Sequence, residues 1–331
     1  MYDALLTIGT LSVTPFSVAV FIGALLGSFL LLWLAKKTSL NEQALLLLVL
    51  SLGTGIILGH ALFAMTRVLI YPLDYEHPIS FILNPSVGGF MYLGVFGGGA
   101  LAALLVSTIK KVSFSNLMSI LLPALFLTLA LVRFAEPLDL QGKGPVIDGF
   151  LFPFSYAPES EYPDDRYIPV FFYEGLYALI IMIWSTLNTL GKTGKPRTGR
   201  FFFILYLAGQ MFFEVFRQDE YINATSLITF IRLNQLFAAI LLGIFLIHFA
   251  IKAKNNIASN ALTLRCAVFI ISVGACIGLQ FLFDKPLPFF GQTVWFPDWL
   301  VYCLLALSAL GMGWPCVSLL SKTQSAVAET V

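Results

Sequence analysis

Arg133 and Glu136 stand three positions apart in "LVRFAEP", at the end of a long apolar run. At that spacing they share one face of a helix. Gln210, Glu214 and Arg217, in "GQMFFEVFRQ", follow one another at i, i+4 and i+7 and form a polar stripe. Tyr173 and Glu174 open a further apolar run, Arg67 closes one, and Arg232, Asn234 and Gln235 open another. An ionisable side chain within a membrane span marks a functional site by default. The planar fork of arginine matches phosphate geometry, so arginines at such places suit a phospholipid headgroup. The competing reading is structural ion pairing, Arg133 with Glu136 and Arg217 with Glu214. Spacing alone leaves both open.

These residues stand out because charge is scarce. The chain is 58% hydrophobic and 11% charged, with a mean hydropathy of +0.88. A soluble globule carries about 25% charged residues, so this is an integral membrane protein. The net charge of +1 gives no support to nucleic acid as a partner. Cys266, Cys276, Cys303 and Cys316 all lie in the last apolar segments, without CxxC spacing or neighbouring histidines, and read as small buried hydrophobes. No metal or cofactor is indicated. The N-terminus lacks a basic stretch and a small-residue cleavage site, so no cleavable signal peptide is expected.

A span needs about 20 apolar residues. The pattern predicts an all-α polytopic bundle of about nine spans: 13–35, 44–70, 87–109, 114–135, 169–190, 200–217, 230–251, 263–283 and 298–320. Every second break is basic: Lys36 and Lys37; Lys110 and Lys111; Lys192, Lys195, Arg197 and Arg200; Lys252, Lys254 and Arg265; and Lys322 at the tail. The other breaks hold Asp74 and Glu76, Asp139 to Asp165, and Asp219 with Glu220. Excess lysine and arginine marks the cytoplasmic side. The N-terminus is therefore expected outside, the C-terminus inside, and the intramembrane polar residues in the outer half. The longest outer loop, 136–168, is rich in proline, acids and aromatics and should pack at headgroup level. No internal repeat is evident, which argues against an inverted-repeat transporter.

"VGGFMYLGVFGGG", residues 87–99, places Gly88, Gly89, Gly94, Gly97, Gly98 and Gly99 in an apolar run. Each helical glycine costs roughly 1 kcal/mol relative to alanine. Bare backbone there must serve close approach, by another helix or by a ligand.

The order of these stretches resembles the prolipoprotein diacylglyceryl transferases of bacteria. "LLTIGTLSVTPFSVAVFIGALLGSFLLLWLAKK" is similar to that family's first segment, and "LGHALFAMTRVL" to its GxR helix end. "GGFMYLGVFGGG" stands at its GG…HGG motif and "LVRFAEPLD" at its GRxGNFxN signature. "IPVFFYEGLYALI" resembles HPSQLYE, "GQMFFEVFRQDE" the FRxxxEFFRxPD motif, and "RLNQLFAAIL" the MGQ start of the last family helix. The resemblance covers about residues 4–251. It implies a membrane domain at 1–255, followed by two additional helices and a tail at 256–331.

The resemblance further implies transfer of diacylglycerol from phosphatidylglycerol, or a related anionic phospholipid, to the lipobox cysteine of a prolipoprotein signal peptide, at the outer face of the inner membrane. It retains Arg133 as the signature arginine, with Tyr173, Glu174, Tyr206, Glu214 and Arg217. Gly88, Gly89 and Gly94 stand at its glycine motif and Gln235 at its MGQ start. Four positions depart from the pattern. Phe16 replaces a tyrosine, Leu93 a histidine proposed to help deprotonate the thiol, Glu136 the signature asparagine, and Gln210 an arginine. Glu136 and His60 are the candidate replacement bases. Three readings follow: a divergent transferase, a non-catalytic phospholipid-binding homologue, and a lipid transporter or scramblase.

Overall fold

In the computed structural model, residues 5–8, 11–70, 79, 89–147, 152–157, 165–192, 199–218, 232–254, 257–284, 287–289, 292–294 and 298–328 are described. Among them are nine long helices: α1 (Pro15–Lys37), α2 (Asn41–Ile70), α3 (Tyr92–Lys110), α4 (Phe114–Ala135), α5 (Val170–Thr189), α6 (Gly199–Phe213), α7 (Leu233–Ala253), α8 (Ser259–Asp284) and α9 (Asp298–Ala328). Three short antiparallel strand pairs accompany them: β1 (Leu6–Ile8) with β2 (Leu11–Val13), β3 (Lys143–Val146) with β4 (Tyr167–Pro169), and β5 (Leu287–Phe289) with β6 (Gln292–Val294).

The chain divides into two compact units, Met1–Phe202 with Arg217–Asp219, and Phe203–Phe216 with Glu220–Val331. In the first unit α1 begins at Thr14. The Thr14 hydroxyl accepts from the Ser17 N–H at 3.2 Å and the Ser17 hydroxyl accepts from the Thr14 N–H at 2.9 Å. This reciprocal cap satisfies donors that a helix start leaves unbonded, and Pro15, lacking an N–H, suits the first turn. The unit's main apolar core joins Leu31, Leu34, Leu47, Val106, Leu117 and Leu121, drawn from α1 to α4.

α3 lies against α2 with almost no side chain between them. A Cβ on Gly94 would stand 2.8 Å from Gly59 Cα, and one on Gly98 2.5 Å from Gly55 N. The Thr54 hydroxyl donates to the Gly98 carbonyl at 2.7 Å, and the Met91 N–H to the Gly59 carbonyl at 3.0 Å. Gly99 faces Leu121 and Leu125 of α4. The glycine run thus serves helix packing. Gly97 departs from that expectation: it is exposed, with nothing within 4 Å of where its Cβ would be. Gly88 lies outside the described residues.

In the second unit α9 packs against both α7 and α8. Cys276 and Cys316 are fully buried, in line with the expectation for the cysteines, whereas Cys303 is exposed and Cys266 half-buried. Their helices present part of their surface outward.

Among the described residues, eight helices are long and apolar enough to cross a membrane. The ninth expected span, 200–217, is shorter: α6 has 15 residues and ends at Phe213. Glu214 still donates its N–H to the Gln210 carbonyl at 3.1 Å, but Phe216 turns back to the Phe213 carbonyl at 3.0 Å. Arg217 therefore leaves the helix, and the stripe Gln210–Glu214–Arg217 does not continue along one helical face. The third span also starts later than expected, at Tyr92, because Gly89 has a left-handed φ of +127°.

Candidate functional site

Four ionisable side chains of the first unit meet in one cluster: Arg133, Glu136, Glu174 and Arg217, with relative exposures of 5%, 3%, 2% and 3%. Arg133 donates through Nη1 to Glu136, and its Nε lies 3.3 Å from Glu174 Oε2. Arg217 donates through Nη1 to Glu174, and the same nitrogen lies 3.1 Å from Glu136 Oε2. Each guanidinium thus touches both carboxylates. Two positive and two negative charges close a ring with no net charge. The aromatic face of Tyr92 completes one side, its centroid 5.3 Å from Arg133 Cζ, a cation–π distance.

Three breaks in regular structure bring these groups together. α4 carries Arg133 in its last turn, then tightens into a 3-10 turn over Glu136–Asp139. Gly142, at φ +76°, returns the chain beside that turn; a Cβ there would lie 2.6 Å from Glu136 Oε2 and collide with the carboxylate. The Gly142 carbonyl accepts from the Phe171 N–H at 3.0 Å, which sets the start of α5 and with it Glu174. The Gln218 N–H donates to the Lys143 carbonyl at 2.9 Å, fastening the segment that carries Arg217 to β3.

The ring lies inside the stretch that the prolipoprotein diacylglyceryl transferase family model matches, residues 3–251. The chain belongs to this family. It is 27% identical over 233 residues to a phosphatidylglycerol--prolipoprotein diacylglyceryl transferase of Nostoc sp., covering 65% of this chain and 78% of that protein. It is 27% identical over 256 residues to the protein of that name from Clostridium botulinum strain Langeland, covering 75% and 97%. With the one from Listeria innocua it shares 26% over 224 residues, covering 64% and 78%. α8 and α9 lie beyond the family match.

Within this transferase-family chain the remaining candidates make other contacts, each in its own unit. Tyr173 donates its hydroxyl to the Pro153 carbonyl at 2.9 Å and so holds the long loop between α4 and α5. Phe152 and Tyr156 of that loop pack on Phe172 and Phe171. His60 on α2 meets Phe90 edge-on at 6.2 Å; its Nε2 is buried and makes no hydrogen bond among the described residues. Gly89 faces the Phe63 ring and Gly94 is taken up by α2. In the second unit, Tyr206, Gln210, Glu214 and Gln235 are all buried. Asn234 donates to Glu214 at 2.8 Å, and Gln235 Nε2 lies 3.2 Å from Cys276 Sγ.

Sequence reasoning did not single out Tyr92 or Gly142. Tyr92 had a signal, as the one hydroxyl-bearing aromatic in the glycine run. Gly142 had none, since a loop glycine looks the same whether or not a carboxylate lies beside it.

Proposed function

We propose that this protein is a diacylglyceryl transferase of the bacterial cytoplasmic membrane. Its donor is phosphatidylglycerol or a related anionic phospholipid, and its acceptor the lipobox cysteine of a prolipoprotein. The observation that carries this reading is the convergence of Arg133 and Arg217, from distant stretches, on one buried cluster. In the reaction the cysteine sulfur forms a bond to the terminal glyceryl carbon of diacylglycerol. The bond from that carbon to the phosphate oxygen breaks. The thiol gives up its proton to water to form the attacking thiolate, and glycerol phosphate departs as an anion. Arg133 and Arg217 supply the positive charge that the phosphate needs as it leaves. Glu136 and Glu174 hold both guanidiniums in place beforehand and give them up as the phosphate enters. The positive-inside pattern puts the ring in the outer half, where a secreted acceptor arrives.

The same ring sets the rate. Glu136 competes with the phosphate for both arginines, and Leu93 provides no base. Only a few per cent of a cysteine is thiolate at neutral pH, and a positioned base contributes about 10²–10⁴-fold. Transfer is therefore slower here than in a family member bearing the histidine. The test is expression of the full chain in a bacterium depleted of its own transferase, with a reporter prolipoprotein analysed by mass spectrometry. The expected result is a reporter that gains a diacylglyceryl mass. An unmodified reporter, with the protein present in the membrane, would overturn the reading.

A further inference from the structure

α9, which lies beyond the family match, forms with α6 a second feature that the transfer reaction does not use. Within the second unit lies a hollow of about 490 Å³, lined by Ile204, Leu205, Ala208, Leu310, Trp314 and Val317, with glycines 311 and 313 at its floor. A volume of this size is in the range of small-ligand sites. In "LGMGWPC" the glycines let α9 pack closely: a Cβ on Gly311 would collide with Ser272 Oγ, and one on Gly313 would stand 3.0 Å from Ala208 Cβ. Pro315 has no N–H to donate to the Gly311 carbonyl, which loosens α9 at that turn. Trp314 is half exposed and forms an open flank.

Beside Trp314, and outside the lining itself, stands a fixed cation. Arg265 Cζ lies 5.9 Å from the centroid of the Trp314 ring. Its Nε donates to the Ser318 hydroxyl at 3.0 Å and its Nη1 to the Ala261 carbonyl at 2.7 Å. Arg265 has no carboxylate partner among the described residues, in contrast to Arg133 and Arg217. It sits only six residues inside α8, a helix apolar enough to span a membrane. Lys322, exposed on α9 one turn beyond Ser318, adds a second positive charge.

We propose that this hollow is a binding site for an anionic glycerophospholipid, with one acyl chain in the apolar trough and the phosphate on Arg265. Charge and shape select this occupant together. A guanidinium whose partners among the described residues are both neutral is complemented by an anion. The adjoining trough offers only apolar surface, which a free inorganic anion would leave empty. A cation beside an apolar trough is complementary to one molecule abundant in a membrane, an acidic lipid. By the basic breaks, that lipid belongs to the cytoplasmic leaflet. The site is independent of the transfer reaction.

The test uses the full chain in detergent micelles, titrated with phosphatidylglycerol or phosphatidylcholine and read by native mass spectrometry as lipid retained per protein. Phosphatidylglycerol should be retained in preference. Arg265→Gln should weaken phosphatidylglycerol retention about fivefold, the factor expected for one lipid-facing cation, and leave phosphatidylcholine unchanged. Arg265→Lys should keep most of the preference, and Val317→Trp, which fills the trough, should lower retention of both lipids. Glycerol phosphate release by Arg265→Gln should match the wild type, so failure of this site and failure of the transfer reading are separate results. Wild-type retention by Arg265→Gln, or an equal loss of both lipids, would overturn the proposal.

Discussion

Arg217 and Glu174, 43 positions apart in sequence, are joined by a buried hydrogen-bonded ion pair. Removing one partner of such a pair leaves an uncompensated charge and costs about 3–5 kcal/mol. Arg217→Ala should therefore lower the thermal midpoint of the detergent-solubilised protein markedly. Arg217→Met combined with Glu174→Gln should lose less than the sum of the two single changes, because the second change removes the charge that the first one strands. Additive losses would mean that the two side chains do not depend on each other.

Glu136 is the carboxylate that balances the ring. Replacing it with asparagine leaves two guanidiniums against Glu174 alone, a net charge of +1. Glu136→Asn should bind phosphatidylglycerol roughly tenfold more tightly, the worth of one charge-assisted hydrogen bond no longer contested. Equilibrium binding of a fluorescent phosphatidylglycerol measures this. Weaker binding would mean that Glu136 is needed to form the site.

The glycines of α3 should separate cleanly by position. Gly98→Val drives a side chain into the backbone of Thr54 and Gly55 and should destabilise the protein or prevent its accumulation. Gly97→Ala meets nothing and should stabilise it by about 1 kcal/mol or less. Thermal unfolding of the two variants side by side checks both directions.

Leu93 and Gln210 stand where the resemblance places a histidine and an arginine. Leu93→His together with Gln210→Arg should raise glycerol phosphate release tenfold or more, within what a positioned base supplies. No change would point to a site rebuilt for a different acceptor.

Much of this was legible in the sequence. Scarce charge and long apolar runs gave the helical membrane architecture, since in a bilayer backbone groups must bond within the segment. Arg133, Glu136, Glu174 and Arg217 stood out as charges in apolar runs. Their common meeting point did not, because it depends on returns of the chain at the 3-10 turn, at Gly142 and at the Gln218–Lys143 bond. Periodicity also carried Arg217 along the helix of Gln210 and Glu214. It could not register the turn at Glu214–Phe216, where apolar residues continue although the helix stops.

In the proposed reaction Arg133 and Arg217 hold the phosphate of a lipid whose diacylglyceryl group moves to a cysteine thiol. The most direct measurement follows glycerol phosphate release by the purified full chain, given phosphatidylglycerol and a lipobox peptide. Release that requires the peptide's cysteine, and that falls at least a hundredfold in Arg217→Lys, is the predicted result. Lysine keeps the charge and loses the planar fork that matches a phosphate bidentately. No cysteine-dependent release by the wild type, or undiminished release by Arg217→Lys, would contradict it.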